Sequence, residues 1–206
     1  MSLPGFSVVV CCHNSVNRLN ETFLHLARQE VNEKQSWELI LVDNASTDGT
    51  SEIAAKLWIK LNSPCPFYLV REVQPGLSYA RRAGVLQARF DFIIFCDDDN
   101  WLAPDYASRA VRLLQARPDV GVVGGRCKPV LEGLGTVYPE WFFTYADSYA
   151  VGVQSLRSGD VTSRGYVWGA GMALRASLLK HIYSSGAQSC LSDRKGSKLS
   201  SGGDSE

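Results

Sequence analysis

Short apolar runs recur along the first 125 residues, and each gives way to a stretch whose apolar positions are spaced three to four apart. Phe6 to Cys12 (FSVVVCC) is continuous and β-branched, the pattern of a parallel strand covered on both faces. Asn17 can cap the following helix, which places Leu19, Phe23, Leu26 and Ala27 on one side. Leu39 to Val42 reads as a second buried strand ending at Asp43, and Thr50 opens a helix with Ile53, Leu57 and Leu61 aligned. Phe67 to Val70 is a third strand. A Pro75-Gly76 turn then leads into a helix reaching about Ala88. Phe92 to Cys96 is a fourth strand, ending at Asp97. Pro104 favours a first helical turn, Ala107, Ala110, Val111 and Leu114 form the stripe, and Pro118 stops it. Val120 to Val123 is a fifth strand. This alternation predicts an α/β domain with a mainly parallel central sheet flanked by helices.

Beyond Gly125 the rhythm breaks. Residues 126–170 carry Tyr138, Trp141, Phe142, Phe143, Tyr145, Tyr149, Tyr166 and Trp168 without clear periodicity. They predict a smaller mixed subregion closing over the first. Gly171 to Tyr183 reads as a helix, and the remaining residues are polar and rich in Ser and Gly. The expected division is 1–125 and 126–206.

Composition narrows the function. A chain of 206 residues with 45% hydrophobic content can bury one substantial core. Its 21 basic residues balance 21 acidic ones, which argues against a nucleic-acid surface or a polybasic membrane anchor. Cys11, Cys12, Cys65, Cys96, Cys127 and Cys190 include no CxxC pair, and several lie in or beside apolar runs. They read as buried thiols of a reducing compartment. The N-terminal apolar run is too short for a signal peptide or a membrane span, so the expected location is cytoplasmic.

In open α/β sheets, ligands bind outside the carboxyl ends of the strands. That rule selects His13-Asn14, Asp43-Asn44 and Asp97-Asp98-Asp99-Asn100. Three successive carboxylates repel one another unless a cation compensates. Mg²⁺ and Mn²⁺ favour one or two carboxylates together with phosphate oxygens, so a strand-end acidic cluster suits a metal–diphosphate complex. A solvated acidic loop capping the next helix is the simpler alternative. The GxGxxG, GxxxxGK[ST] and GxSxG templates are all missing, and three dispersed histidines offer no zinc site.

The ordered segments LILVDNASTDGT, QPGLSYARRAG, FIIFCDDDNWLAPDY, WGAGMALRASLL and SSGGDSE resemble the family 2 glycosyltransferases, inverting enzymes of GT-A fold. The resemblance implies a divalent metal, Mg²⁺ or Mn²⁺, held by Asp97 and Asp99 of a DxD element, with Asp97 or Asp98 facing the ribose or a metal-bound water. It implies nucleobase recognition by Asp43 and Asn44, with His13 and Asn14 beside the base and Arg81 approaching the donor. Asp204 would be the catalytic base, with Glu206 as second choice, and Trp168 a platform for a sugar ring. The partners implied are a nucleotide sugar and a hydroxyl acceptor such as a saccharide, a lipid-linked saccharide or a protein; a lipid-linked acceptor would bring the enzyme to a membrane surface. Family members continue past the base motif with helices over the acceptor site, so 126–206 is expected to be an acceptor half cut short at its C-terminus. A non-catalytic nucleotide- or sugar-binding module, and a nucleotidyltransferase or phosphatase, stand as alternatives.

Overall fold

Val8 and Val10 face one side of a sheet and Val9 the other, and all three are fully buried. This two-residue alternation within an all-apolar run fixes a strand with a core on each face. The structure, a computed structural model, describes residues 3–131 and 137–185. Its elements in chain order are β1 (Leu3–Cys12), α1 (Leu19–Ala27), β2 (Trp37–Asn44), α2 (Thr50–Lys60), β3 (Phe67–Glu72) and α3 (Leu77–Gln87). There follow β4 (Phe90–Asp97), α4 (Tyr106–Ala116), β5 (Val122–Val123), β6 (Ala173–Arg175) and α5 (Ala176–Ser184).

The strands form one six-stranded sheet in the order β3-β2-β1-β4-β6-β5. β1 pairs in parallel with both β2 and β4, and β2 pairs in parallel with β3. β6 runs antiparallel between β4 and β5. Two expectations change here. The segment from Gly171 is not helical from its start, because Ala173–Arg175 is a strand before α5 begins. The fifth strand shrinks to Val122–Val123 and joins β6 rather than a parallel neighbour.

Helices α1, α2 and α4 cover one face, where Phe23, Trp58 and Val111 pack against Val8, Val10, Leu41 and Ile94. Helices α3 and α5 cover the other, where Ala80, Val85 and Ala176 meet Val9, Ile40 and Phe95. α3 sits close to the sheet because it presents Gly84: a Cβ there would lie 2.4 Å from a methyl of Val9 and 3.1 Å from one of Val42. The predicted stripe of α4 is buried at all four positions. Arg18 rather than Asn17 takes the N-cap position of α1, without a side-chain capping bond.

At the amino-end side of the sheet, the carboxylate of Glu38 is enclosed within the core. It accepts hydrogen bonds from Ser7 Oγ at 2.7 Å, from the Arg89 backbone N–H at 2.9 Å and from Arg89 Nε at 2.7 Å. Pairing of this kind is what permits a buried carboxylate.

Between β5 and β6 the chain forms short 3₁₀ turns at Phe142–Tyr149 and Thr162–Arg164. Reciprocal backbone bonds between Cys127 and Gly152 tie the segment at its base. Tyr138, Trp141, Phe142, Phe143 and Tyr149 pack ring against ring there, with Trp141, Phe143 and Tyr149 more than half exposed. Trp168 is 4% exposed, so its ring belongs to the interior. Among the described residues no helix is long and apolar enough to cross a membrane.

Candidate active site

The strand order reverses between β1 and β4, because the chain proceeds outward through β2 and β3 and returns to the other side of β1. Their carboxyl ends therefore open a crevice into which the loops after β1, β2 and β4 all project. β5 runs in the same direction as β4, so the aromatic segment also leaves from this edge.

On β1's exit, His13 is exposed and oriented by a 2.7 Å contact between Nδ1 and the carbonyl of Asn44. A carbonyl only accepts, so Nδ1 carries a proton, and Nε2 lies 3.4 Å from Asn14 Nδ2. Asn14 adopts a left-handed conformation, φ 52°, and its Oδ1 accepts the Thr47 N–H at 2.8 Å. The β1 and β2 loops are thus bonded to each other on one side of the crevice.

Asp43 closes β2 with both oxygens engaged. Oδ1 accepts the Ser46 N–H at 3.0 Å and Oδ2 accepts the hydroxyl of Ser51. Burial opposes ionisation of Asp43, but the bonds from Ser46 and Ser51, aided by Arg71, outweigh it and hold the carboxyl below its ordinary value. Asn44 is committed to backbone. Its amide donates to Glu72 O at 3.3 Å and Gln74 O at 2.7 Å, and Oδ1 accepts the Gly76 N–H at 2.7 Å. Asn44 therefore locks the entrance of α3 to the end of β2. Beside Asp43, a cleft of about 510 Å³ is lined by Ala45, Ser46, Thr47, Ser51, Arg71 and Val73 among others.

The three carboxylates after β4 differ in exposure. Asp98 is held: its Oδ2 accepts from Arg18 Nη2 at 2.7 Å and from the Ser15 hydroxyl, while its carbonyl accepts from Thr22 Oγ1 at 2.9 Å. Asp97 is half-buried at the strand end, and Asp99 is exposed. Asn100 closes this turn, with its N–H on Asp97 O at 3.1 Å and its Oδ1 accepting the Asp97 N–H at 3.3 Å. Beneath it, burial together with the neighbouring carboxylates keeps the Cys96 thiol protonated, its pKa raised well above the ordinary value.

Arg81 is buried on α3, with its guanidinium 5.3 Å from the Phe95 ring centre. It lies on the sheet face opposite α1. Arg82 is exposed and lines a separate cleft with Tyr79, Gln74 and Glu72.

The family model described as Glycosyl transferase family 2 matches residues 7–182, most of the chain. The chain belongs to this family. Among curated relatives, the poly(ribitol-phosphate) β-N-acetylglucosaminyltransferase TarS of Staphylococcus aureus is 33% identical over 97 residues, covering 47% of this chain and 16% of that protein. The uncharacterized glycosyltransferase YfnE of Bacillus subtilis is 30% identical over 118 residues, covering 57% and 29%. The chain thus spans less than a third of the length of either relative. Among solved structures, the mannosyltransferase PcManGT of Pyrobaculum calidifontis in complex with GDP-Man and Mn²⁺ superposes with a TM-score of 0.64 at 23% identity. It covers 87% of this chain and 46% of that one. TarS in complex with UDP-GlcNAc gives 0.60 at 22%, covering 87% and 47%. These likenesses establish the GT-A fold.

The donor set of this family 2 site suits the divalent ion that the resemblance implies. Among the described residues no three His, Cys, Asp or Glu side chains converge as a metal cage. Asp97 and Asp99 provide two hard oxygen donors at the crevice, the number Mg²⁺ and Mn²⁺ accept when phosphate supplies further ligands. Asp204 and Glu206, expected as catalytic carboxylates, lie outside the described residues. Arg18, Ser15, Asp48 and Arg71 were not singled out from sequence. Asp48 had a readable signal: two residues before the first residue of a helix it accepts the Thr50 N–H at 3.0 Å, and it also takes the Val16 N–H at 3.1 Å.

Proposed function

We propose that this chain carries the donor-binding core of a metal-dependent inverting glycosyltransferase that moves a sugar from a nucleoside diphosphate to a hydroxyl acceptor. The observation that carries the reading is the placement of Asp97 and Asp99 at the β1/β4 crevice, with Asp98 withdrawn onto Arg18. Asp97 and Asp99 would hold Mg²⁺ or Mn²⁺. When bound, that ion neutralises the diphosphate and stabilises the charge it gains on leaving. GDP-Man with Mn²⁺ in PcManGT and UDP-GlcNAc in TarS support a nucleotide-sugar donor here.

The residues of the chain divide the remaining work. The cleft beside Asp43 receives the nucleobase, with the carboxylate edge available to a base N–H and the exposed His13 ring beside it. Asn14 and Asn44 position these groups by fastening the loops that bear them. Arg81 gives positive charge on the α3 side of the donor. Asp204 acts as base: it takes the acceptor's proton as that oxygen bonds to the anomeric carbon, and the carbon–oxygen bond to the diphosphate breaks on the opposite face.

The 126–206 half serves the acceptor. Its exposed aromatic rings at the same sheet edge suit the apolar faces of a saccharide, free or lipid-linked, and the name of TarS, a poly(ribitol-phosphate) β-N-acetylglucosaminyltransferase, supports a polymer acceptor. A lipid-linked acceptor would bring the protein from the cytoplasm to a membrane surface.

The test is nucleoside diphosphate release from a panel of nucleotide sugars with Mn²⁺, with and without saccharide acceptors. The proposal expects release from at least one sugar and its loss on adding EDTA. Release that is indifferent to EDTA would contradict metal dependence. Asp204→Asn should keep donor binding and lose transfer by a factor of at least about 10²; full turnover by that variant would reassign the base.

A further inference from the structure

Arg164 closes the 3₁₀ turn Thr162–Arg164, and among the described residues no carboxylate pairs with it. Its Nη1 donates to the carbonyl of Gln154 at 3.3 Å and its Nη2 to the phenol oxygen of Tyr166 at 3.2 Å. Nε is buried and has no hydrogen-bond partner. The guanidinium carbon lies 4.7 Å from the centre of the Tyr166 ring and 5.1 Å from that of Trp168. Ring faces attract a cation and keep water from it, but they carry no charge to cancel it. A guanidinium only donates, so the Tyr166 oxygen accepts here and its own proton is left to donate elsewhere. Tyr166 is 37% exposed. Arg164 and Tyr166 thus set N–H and O–H donors side by side at the surface, around a positive charge that the described residues leave unbalanced.

This pair is fastened to the edge where the crevice opens. Gln154 accepts the Trp168 N–H at 2.8 Å and donates to the carbonyl of Gly125, just beyond β5, at 2.7 Å. Three residues after Trp168, the Gly171 N–H bonds the carbonyl of Phe95 at 2.9 Å, two positions before Asp97.

We propose that Arg164 and Tyr166 form an oxyanion site that receives a phosphate or carboxylate group of the sugar acceptor. This rests on the acceptor role proposed above for 126–206, and it narrows the acceptor to a phosphorylated or acidic saccharide. Both oxyanions take up guanidinium N–H and phenol O–H donors through charge-assisted bonds, which are the stronger kind.

The Arg164 Nε–H reports on the site directly. Its signal in the proton–nitrogen correlation spectrum of the arginine side chains is assigned by its loss in Arg164→Gln. Glycerol phosphate and methyl glucuronide are titrated in with Mn²⁺ and UDP or GDP present to fill the donor site, and uncharged methyl glucoside serves as control. At least one of the two anions should shift the signal saturably, and methyl glucoside should not. The tighter binder identifies the group as phosphate or carboxylate. By calorimetry, Tyr166→Phe should weaken that binding about five-fold, the worth of one hydrogen bond, and Arg164→Gln about ten-fold or more. Binding of UDP and GDP with Mn²⁺ should be the same in both variants as in the unaltered chain, and thermal unfolding reports that each keeps its fold.

A signal unmoved by both anions, or moved equally by methyl glucoside, would overturn the site and leave the donor reading intact. Anion binding undiminished in both variants would do the same. Weaker nucleotide binding in Arg164→Gln would assign the guanidinium to the donor, which also overturns the proposal. If the unaltered chain binds neither UDP nor GDP with Mn²⁺, the proposed function falls and takes the acceptor role with it, while a saturable shift at Arg164 would still stand as an anion site.

Discussion

Each of the carboxylates at the ends of β2 and β4 has its own set of partners, and those partners decide what it can do. Asp43 is ionised well into acid because Ser46 and Ser51 donate to it despite its burial. Its folded value lies below the ordinary 3.8, so an unfolded chain takes up the proton first as pH falls. The stability it contributes is complete above that ordinary value and is lost as pH drops through the lowered one. Asp43→Asn should therefore be less stable at neutral pH and show a shallower loss of stability below about pH 4. Urea midpoints across that range measure it, and an unchanged acid slope would count against the bonds described. At the opposite end of the sheet, Glu38→Ala leaves the buried Ser7 hydroxyl without its acceptor. The expected cost is about 1–3 kcal/mol in denaturant unfolding, with nucleotide binding unaffected. The triplet Asp97–Asp99 was legible in the sequence because it directly follows an apolar run. The bonds of Asp98 to Arg18 and Ser15 were not, since those two residues lie 80 and 83 residues away along the chain. Asn44 shows the same limit. Its position beside Asp43 suggested base contact, whereas its three hydrogen bonds are spent on the backbone of the loop before α3.

Elements were readable where periodicity ran long enough to signal itself. The stripe of α4 and the apolar runs of β1, β2 and β4 fall as expected, with ends displaced by at most three residues. β6 escaped because Ala173, Leu174 and Arg175 are three residues with no strand preference, placed directly before a helix. Its existence is set by β4, which offers an unpaired edge that Phe95 and Met172 close with a 2.9 Å bond. Packing likewise overrides propensity at Gly84. Alanine favours helices by about 1 kcal/mol over glycine, yet a methyl at this point of α3 would collide with Val9 and Val42. Gly84→Ala should lower stability by roughly 1–3 kcal/mol, and it should do so by unfolding measurements whatever the nucleotide content. A more stable variant would show that α3 stands further from the sheet than described.

Across the whole molecule, the fold gathers residues from distant parts of the chain at one edge. The reversal of strand order at β1/β4 brings the loops after β1, β2 and β4 to one crevice, while Arg81 of α3 packs over Phe95 on the other face of the sheet. β5's direction sends the aromatic segment out on that side as well. Family 2 membership and the GT-A fold agree with this arrangement. The central claim is that Asp97 and Asp99 receive a divalent ion together with the donor diphosphate, and calorimetry of UDP and GDP with and without Mn²⁺ tests it most directly. The unaltered chain should bind one of them at least ten-fold more tightly with Mn²⁺, and Asp99→Ala should remove that gain while keeping the same unfolding midpoint within the range of a surface change, about 0.5 kcal/mol. Undiminished Mn²⁺-dependent binding in Asp99→Ala would contradict the account.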